Sequence, residues 1–114
     1  MAFNYSITKE QDVCVIHLQG TLLDKAQAIA MIEELTELME EGIVKVILSM
    51  EDFQYINSTG LNVLINILTK ARKQGGEAII TAVPSKINEL LIITKLNMVF
   101  VVTSTLAEAM EKLK

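Results

Sequence analysis

The sequence is poor in aromatic residues and in the side chains that build metal sites or disulfides. Aromatic residues make up 4% of the 114 residues and hydrophobic residues 51%, so the core must be aliphatic. The single cysteine cannot form an internal disulfide. Cys14 lies in an apolar strand pattern, which predicts a small buried side chain in a reducing compartment. One histidine and one cysteine cannot supply the three or four ligands of a zinc site, so we expect no metal ion.

Excess basic charge and long apolar runs are also missing. Lys and Arg total 10 against 14 Asp and Glu, which gives a net charge of -4 and a pI near 4.9. The basic residues are scattered, so nucleic acid is not an expected partner. The N-terminus has no basic segment followed by an apolar run, and no apolar stretch approaches the ~20 residues of a spanning helix. We therefore expect a cytoplasmic protein without a membrane partner.

The residue patterns of the common enzyme classes are absent as well. A serine hydrolase needs a general base within hydrogen-bond reach of its nucleophile, but the only histidine, His17, lies in the middle of a strand pattern. No G-x-S-x-G elbow surrounds Ser58. Gly75 and Gly76 follow a helix pattern, whereas a phosphate-binding glycine loop precedes a helix. We therefore expect no enzymatic activity, no catalytic residue and no cofactor.

Hydrophobic periodicity predicts a single α/β domain over residues 1–114. Residues 3–8 and 13–18 predict an N-terminal β-hairpin. Helix and strand patterns alternate after it, in the order ββαβαβαβα, and the last of four helices is predicted to start at Ser104 or Thr105. This order predicts a mixed sheet, with the hairpin followed by parallel strands.

Local signals set the expected limits of the first helix and the third strand. Asp24 with Gln27 three residues later predicts a capping box, and Ile29 begins the predicted buried stripe of the helix that follows. Residues 44–48 are apolar except for one lysine, as expected of a central strand covered on both faces. Residues 50–55 are predicted to form a loop.

Residues 56–61 connect this strand to an amphipathic helix. Apolar residues between Leu61 and Ala71 recur at the spacing of one helix face, so Asn57 and Ser58 are N-cap candidates. A hydroxyl there lies beside unpaired backbone N–H groups and the positive end of the helix dipole, where a phosphate would be tolerated. Two interpretations of Ser58 stay open, a simple helix cap and a phosphorylation site. The local sequence favours the cap because N-cap serines are common.

Three parts of the chain resemble the STAS domain family, the anti-sigma factor antagonists of bacteria. Residues 20–23, Gly-Thr-Leu-Leu, match the family's G-x-L-D pattern except at the last position. Residues 57–61, Asn-Ser-Thr-Gly-Leu, match the signature D-S-S/T-G-L except at the first position. The tail follows the family's "E-L-L…G-L…F…E-A" pattern in Glu89-Leu90-Leu91, Lys95-Leu96-Asn97, Phe100 and Ala107-Glu108-Ala109. The resemblance implies that residues 1–114 are one STAS domain.

The resemblance also implies a binding protein that phosphorylation controls. In such proteins the unphosphorylated antagonist binds an anti-sigma factor with an ATPase-type serine kinase fold, and phosphorylation of the signature serine ends that binding. Carried over, the acceptor would be Ser58, Thr59 would be the second hydroxyl, and Gly60 would keep the backbone approachable. A serine phosphatase would be a further partner. The alternative is a STAS scaffold or small-ligand module in a transport or stress-signalling assembly that is never phosphorylated.

We expect the partner surface where the second and third strands pass into helices, since open α/β sheets place binding residues at that edge. The resemblance implies that the family commonly carries acids at the positions of Leu23, Ser49 and Asn57. Asn and Asp rank alike as N-caps, so their exchange at position 57 is expected to be nearly neutral for stability. The predicted partner-binding residues are Thr21, Leu22, Leu23, Asp24, Asn57, Ser58, Thr59, Gly60 and Asn62.

Overall fold

The N-terminal residues form the predicted hairpin. In the computed structural model, which describes residues 2–114, strand β1 spans Phe3–Glu10 and strand β2 spans Val13–Leu22, and the two pair antiparallel. Gln11, in the two-residue turn, has a φ of 59°, the left-handed conformation that tight hairpin turns need. The hairpin places β1 at one edge of the sheet.

The remaining strands run parallel to β2 and follow one another across the sheet in chain order. They are β3 (Lys45–Ile56), β4 (Glu77–Thr81) and β5 (Val101–Thr103). The helices between and after them are α1 (Ile29–Glu40), α2 (Ser58–Lys73), α3 (Ser85–Ile93) and α4 (Leu106–Lys112), with 3-10 turns at Lys25–Ala28 and Leu96–Met98. The predicted mixed sheet, the four helices and the order ββαβαβαβα are confirmed.

The two faces of the sheet are covered unequally. Right-handed crossovers that all step in one direction place α1, α2 and α3 on the same face, where they enclose the larger aliphatic core. On the other face α4 packs through Ala109 and Leu113 against Val15, Ile47 and Ile79. β3 is therefore buried on both faces over residues 46–50, as its apolar sequence predicted.

The predicted loop at residues 50–55 is wrong, because β3 continues through it to Ile56. Its buried positions Met50, Phe53 and Ile56 are three apart, so the segment lacks the alternation by which a strand is recognised. Two register irregularities in the pairing of β2 with β3 produce this spacing. β2 is long as well, since the hairpin was predicted to end at residue 18 and the strand runs to Leu22, so Thr21 lies on it.

The first helix begins as predicted, but Ile29, the predicted start of its buried stripe, is exposed. The capping box of Asp24 and Gln27 is present and opens the 3-10 turn that precedes α1. The buried residues of α1 are Met31, Leu35 and Met39, whereas Ile29 is 53% exposed. At about 100° per residue, Ile29 lies about 120° around the helix from Leu35. It therefore faces away from the stripe that Leu35 and Met39 form with the partly buried Ile32 and Leu38.

Candidate functional site

The structure brings the two predicted partner-binding segments together at the C-terminal ends of β2 and β3. Leu22 and Ile56, the last residues of β2 and β3, are register partners. Just beyond them, the backbone N–H of Asn57 donates to the carbonyl oxygen of Leu22 at 3.4 Å, and Asn57 Nδ2 donates to that of Leu23 at 3.0 Å. The start of α2 is therefore fixed to the segment that leaves β2.

Asn57, and not Ser58, is the N-cap of α2. Its Oδ1 accepts a hydrogen bond of 2.9 Å from the backbone N–H of Gly60, and its own backbone is extended. Ser58 is the first helical residue, so its interpretation as a helix cap is wrong. The Ser58 and Thr59 side chains are exposed, and neither hydroxyl has a hydrogen-bond partner within residues 2–114. Both hydroxyls project from a helix start that Asn57 holds in place.

The side chain of Asn57 does more than cap the helix. An aspartate could accept from Gly60, but it has no N–H to donate to the carbonyl oxygen of Leu23. It would also place a carboxylate oxygen beside that carbonyl. The exchange would lose the bond between the two segments, so this geometry predicts that Asn57→Asp lowers stability, where the sequence alone predicted a nearly neutral change.

Two of the predicted partner-binding residues lie beneath the surface. Leu22 is fully buried, and a Cβ on Gly60 would stand 2.4 Å from the carbonyl oxygen of Leu22 and 2.5 Å from Cγ1 of Ile56. Glycine is thus required at position 60 by packing against the end of β2, rather than by the approach of a partner. Gly60 acts by allowing α2 to start close to the sheet, where Ser58 is then presented.

The other predicted residues lie at or near the surface. Leu23 is 44% exposed, and Asn62 projects into solvent from α2. Asp24 is exposed and caps the 3-10 turn, since its Oδ1 accepts from the backbone N–H of Ala26 at 2.8 Å. Thr21 is half-buried on β2. Together with Asn57, Ser58 and Thr59, these residues form a polar surface with one exposed leucine.

The charge distribution along α2 favours an anion at its first turn. This helix has 16 residues, no acid in its first turn, and Lys70, Arg72 and Lys73 in its last turn. The cations complement the negative end of the helix dipole, while nothing within α2 neutralises the positive end. A negative group added at Ser58 would therefore meet a favourable field and the N–H groups that every helix start leaves unpaired.

A second feature of this region was not predicted from the sequence. A groove of about 480 Å³ separates α1 from α2, and we call it the α1–α2 groove. The sequence contains no direct sign of the groove, because Ile29, which lines it and is exposed, was predicted to be buried in the core. The groove is lined by Lys25, Ala28, Ile29, Ile32, Glu33, Val63, Asn66, Thr69, Lys70 and Lys73.

The other reactive side chains lie away from this surface. His17 is half-buried on β2 among residues that face α4, the side of the sheet opposite to α2. Burial raises the pKa of the Cys14 thiol to about 11, so the thiol stays protonated at neutral pH. Across the described residues, no three His, Cys, Asp or Glu side chains group where they could hold a metal ion. No helix within residues 2–114 is long and apolar enough to cross a membrane.

Comparison with known proteins agrees with this architecture. The profile of the STAS domain matches residues 4–109. A Thermotoga maritima protein provisionally named as an anti-sigma factor antagonist is 30% identical over 78 residues, which cover 68% of this chain and 69% of that protein.

Solved structures extend the comparison to nearly the whole chain. A crystal structure from Thermotoga maritima, also provisionally named as an anti-sigma factor antagonist, has a TM-score of 0.83 at 26% identity and covers 97% of this chain and 93% of its own. The Bacillus cell fate determinant SpoIIAA, in its phosphorylated form, has a TM-score of 0.72 at 17% identity, with 99% and 100% of the two chains covered. At that identity the likeness to SpoIIAA shows the fold alone.

Proposed function

Because the chain belongs to the STAS domain family, we propose that it is an anti-sigma factor antagonist that acts by binding and is inactivated by phosphorylation of Ser58. Its partner would be an anti-sigma factor with an ATPase-type serine kinase fold. The names of the Thermotoga maritima relatives support the class of protein, and the exposed Ser58 at the capped start of α2 supports the switch. In the unphosphorylated state, the partner would cover Ser58 together with Leu23, Asp24 and Asn62.

The proposed step transfers the γ-phosphoryl group of ATP to Ser58 Oγ, with loss of the hydroxyl proton and release of ADP. The phosphate would meet the N–H groups of the first turn that Asn57 leaves unpaired, so the fold should tolerate it. In the complex, the same charge would have to be desolvated against a surface shaped for a neutral hydroxyl. An unpaired buried charge costs several kcal/mol, and even ~3 kcal/mol weakens binding more than a hundredfold.

The test begins with the serine-kinase anti-sigma factors encoded in the source genome. Each is purified and incubated with this protein and ATP, and the intact mass is measured. One added phosphate that Ser58→Ala removes, and that Thr59→Ala retains, would support Ser58 as the acceptor. Binding of each kinase to the unphosphorylated protein is measured in parallel by titration calorimetry. A serine phosphatase from the same genome should then remove the phosphate and restore binding.

The alternative function is a STAS scaffold or small-ligand module that is never phosphorylated. The geometry of Asn57 favours it, because this side chain is committed to Gly60 and Leu23 and cannot offer a carboxylate to the metal or lysine of a kinase. Under the proposed switch, Asn57→Asp should change the phosphorylation rate by more than it changes stability. A chain that binds an anti-sigma factor but takes no phosphate, as parent or as Asn57→Asp, would belong to the alternative.

A further inference from the structure

The α1–α2 groove combines an apolar floor with a basic rim. Ile32 and Val63 form part of the floor, and Ile29 projects into solvent beside them. Lys25 stands on the wall formed by the 3-10 turn and α1, and Lys73 stands on the α2 wall. The exposed Ile29 is not part of the core of this face, which Ala28, Met31 and Leu35 complete without it. An exposed isoleucine between lysines is therefore not needed for folding.

Within residues 2–114, the lysines of the rim form no ion pair with an acid. The ion pairs found among the described residues involve other lysines and an arginine. Lys70 Nζ donates to Thr36 Oγ1 of α1 at 3.3 Å, a single hydrogen bond between the two walls that an occupant would replace with a carboxylate. Glu33 is the one acid in the lining, and it forms no ion pair within residues 2–114. In a chain with a net charge of -4, this excess of positive charge indicates an acidic occupant.

The shape of the groove indicates an elongated occupant. A second cavity of about 200 Å³ continues it between the same two helices and shares Lys70 and Lys73. Thr36, Met39 and one acid, Glu40, line its α1 side, and Gln74 lies at its end. The 12 residues of α1 extend about 18 Å at 1.5 Å per residue, the length of roughly three helical turns. Lys70 and Lys73 lie along the α2 wall and Lys25 lies in the 3-10 turn before α1, so three lysines at different levels face the two acids of the α1 side. Cations spread in this way match several carboxylates along a helix better than one carboxylate on a small molecule.

We infer that the α1–α2 groove binds an acidic amphipathic helix of the anti-sigma partner, an inference that rests on the proposed function. Its apolar side chains, at the spacing i, i+3 or i+4, and i+7, would cover Ile29, Ile32 and Val63. Its carboxylates would face the lysines. The exposed face of α2 connects this groove to Ser58 through Asn62 and Asn66, so one partner can cover both. A phosphate on Ser58 would add negative charge at the end of the same surface.

The test needs no partner protein. The probe is a synthetic 15-residue helical peptide with leucines at the spacing given above and glutamates beside them, and the matched probe has lysines in place of the glutamates. Each is titrated into methyl-labelled protein and followed by NMR. We expect the acidic peptide to shift the methyl signals of Ile29, Ile32 and Val63 and to bind at least tenfold more tightly than the basic one. Lys70→Glu combined with Lys73→Glu should reverse that preference.

The control is Lys86→Glu, an exposed lysine on α3 that should leave both affinities unchanged. Equal binding of the two peptides, no binding of either, or shifts confined to the exposed Ile93 and Met98 of the α3 region would overturn the inference.

Failure of the proposed function is measured separately. If the acidic peptide binds but no anti-sigma factor does, the proposed function fails and the groove still binds a helix. If an anti-sigma factor binds the lysine variants with parental affinity, only the inference fails.

Discussion

Helices α2 and α4 both start after a short polar segment and use the same capping chemistry. Of the two, α2 has no carboxylate in its first turn, whereas α4 has one. Asn57 caps α2 through Gly60, and Thr105 caps α4 by accepting from the backbone N–H of Glu108 at 3.1 Å. Thr105 was one of the two starts predicted for the last helix, and it is confirmed. At α4, the Glu108 carboxylate also accepts from the backbone N–H of Ser104 at 3.4 Å.

The difference lies in the third residue of each helix. Glu108 supplies a carboxylate at this position of α4, where it offsets the helix dipole. Gly60 holds the equivalent position in α2 and cannot be replaced by an acid, because its Cβ would strike the carbonyl oxygen of Leu22. Close packing at the end of β2 therefore keeps the start of α2 free of negative charge, which suits it to a phosphate. A capped helix start alone does not identify such a site.

The largest expected effect in this comparison is on stability at the third helical position. Gly60→Ala should lower the free energy of unfolding by about 3 kcal/mol, since the added methyl group must displace backbone atoms. Glu108→Ala should lower it by less than about 1 kcal/mol, because it removes one exposed partner of the dipole. Urea unfolding of both variants and the parent measures the two values. Equal losses would show that the packing of Gly60 does not distinguish the two helices.

A smaller difference is expected at the caps. Asn57→Ala should cost about 2 kcal/mol, because it removes the cap and the bond to Leu23, whereas Thr105→Ala should cost about 1 kcal/mol for the cap alone. Asn57→Asp should fall between the parent and Asn57→Ala, since it keeps only the cap. The midpoints of chemical denaturation provide the ranking. An Asn57→Asp variant as stable as the parent would remove any role for the bond to Leu23.

The smallest expected difference is in how much a negative charge in the first turn stabilises each helix. Thr59 and Ala107 are both exposed second residues of their helices, so an acid at each probes the local field. The difference between Thr59→Asp and Thr59→Asn isolates the charge and should stabilise by about 0.3–1 kcal/mol at low salt. The corresponding difference at Ala107, beside the carboxylate of Glu108, should be near zero or unfavourable. High salt should reduce the effect at Thr59, and the same stabilisation at both helices would contradict the comparison.

The sequence predicted the architecture well because its periodicities agree with its turn signals. The hairpin, the parallel strands and the start of α4 at Thr105 followed from local patterns. It could not predict features that arise between distant segments. The extension of β3 to Ile56 depends on an irregular register with β2, and the packing of Gly60 depends on where Leu22 lies. The exposure of Ile29 depends on which face of α1 the sheet and α2 cover, and the i, i+3 spacing of Ile29 and Ile32 alone does not reveal that face.

The most direct test of this account is the affinity of the anti-sigma factor kinase for the protein before and after phosphorylation of Ser58, with a thermal melt of each form. We expect the phosphorylated protein to bind more than a hundredfold more weakly while its melting temperature is unchanged or slightly higher. Undiminished affinity of the phosphorylated protein, or a fold destabilised as much as the complex, would contradict it.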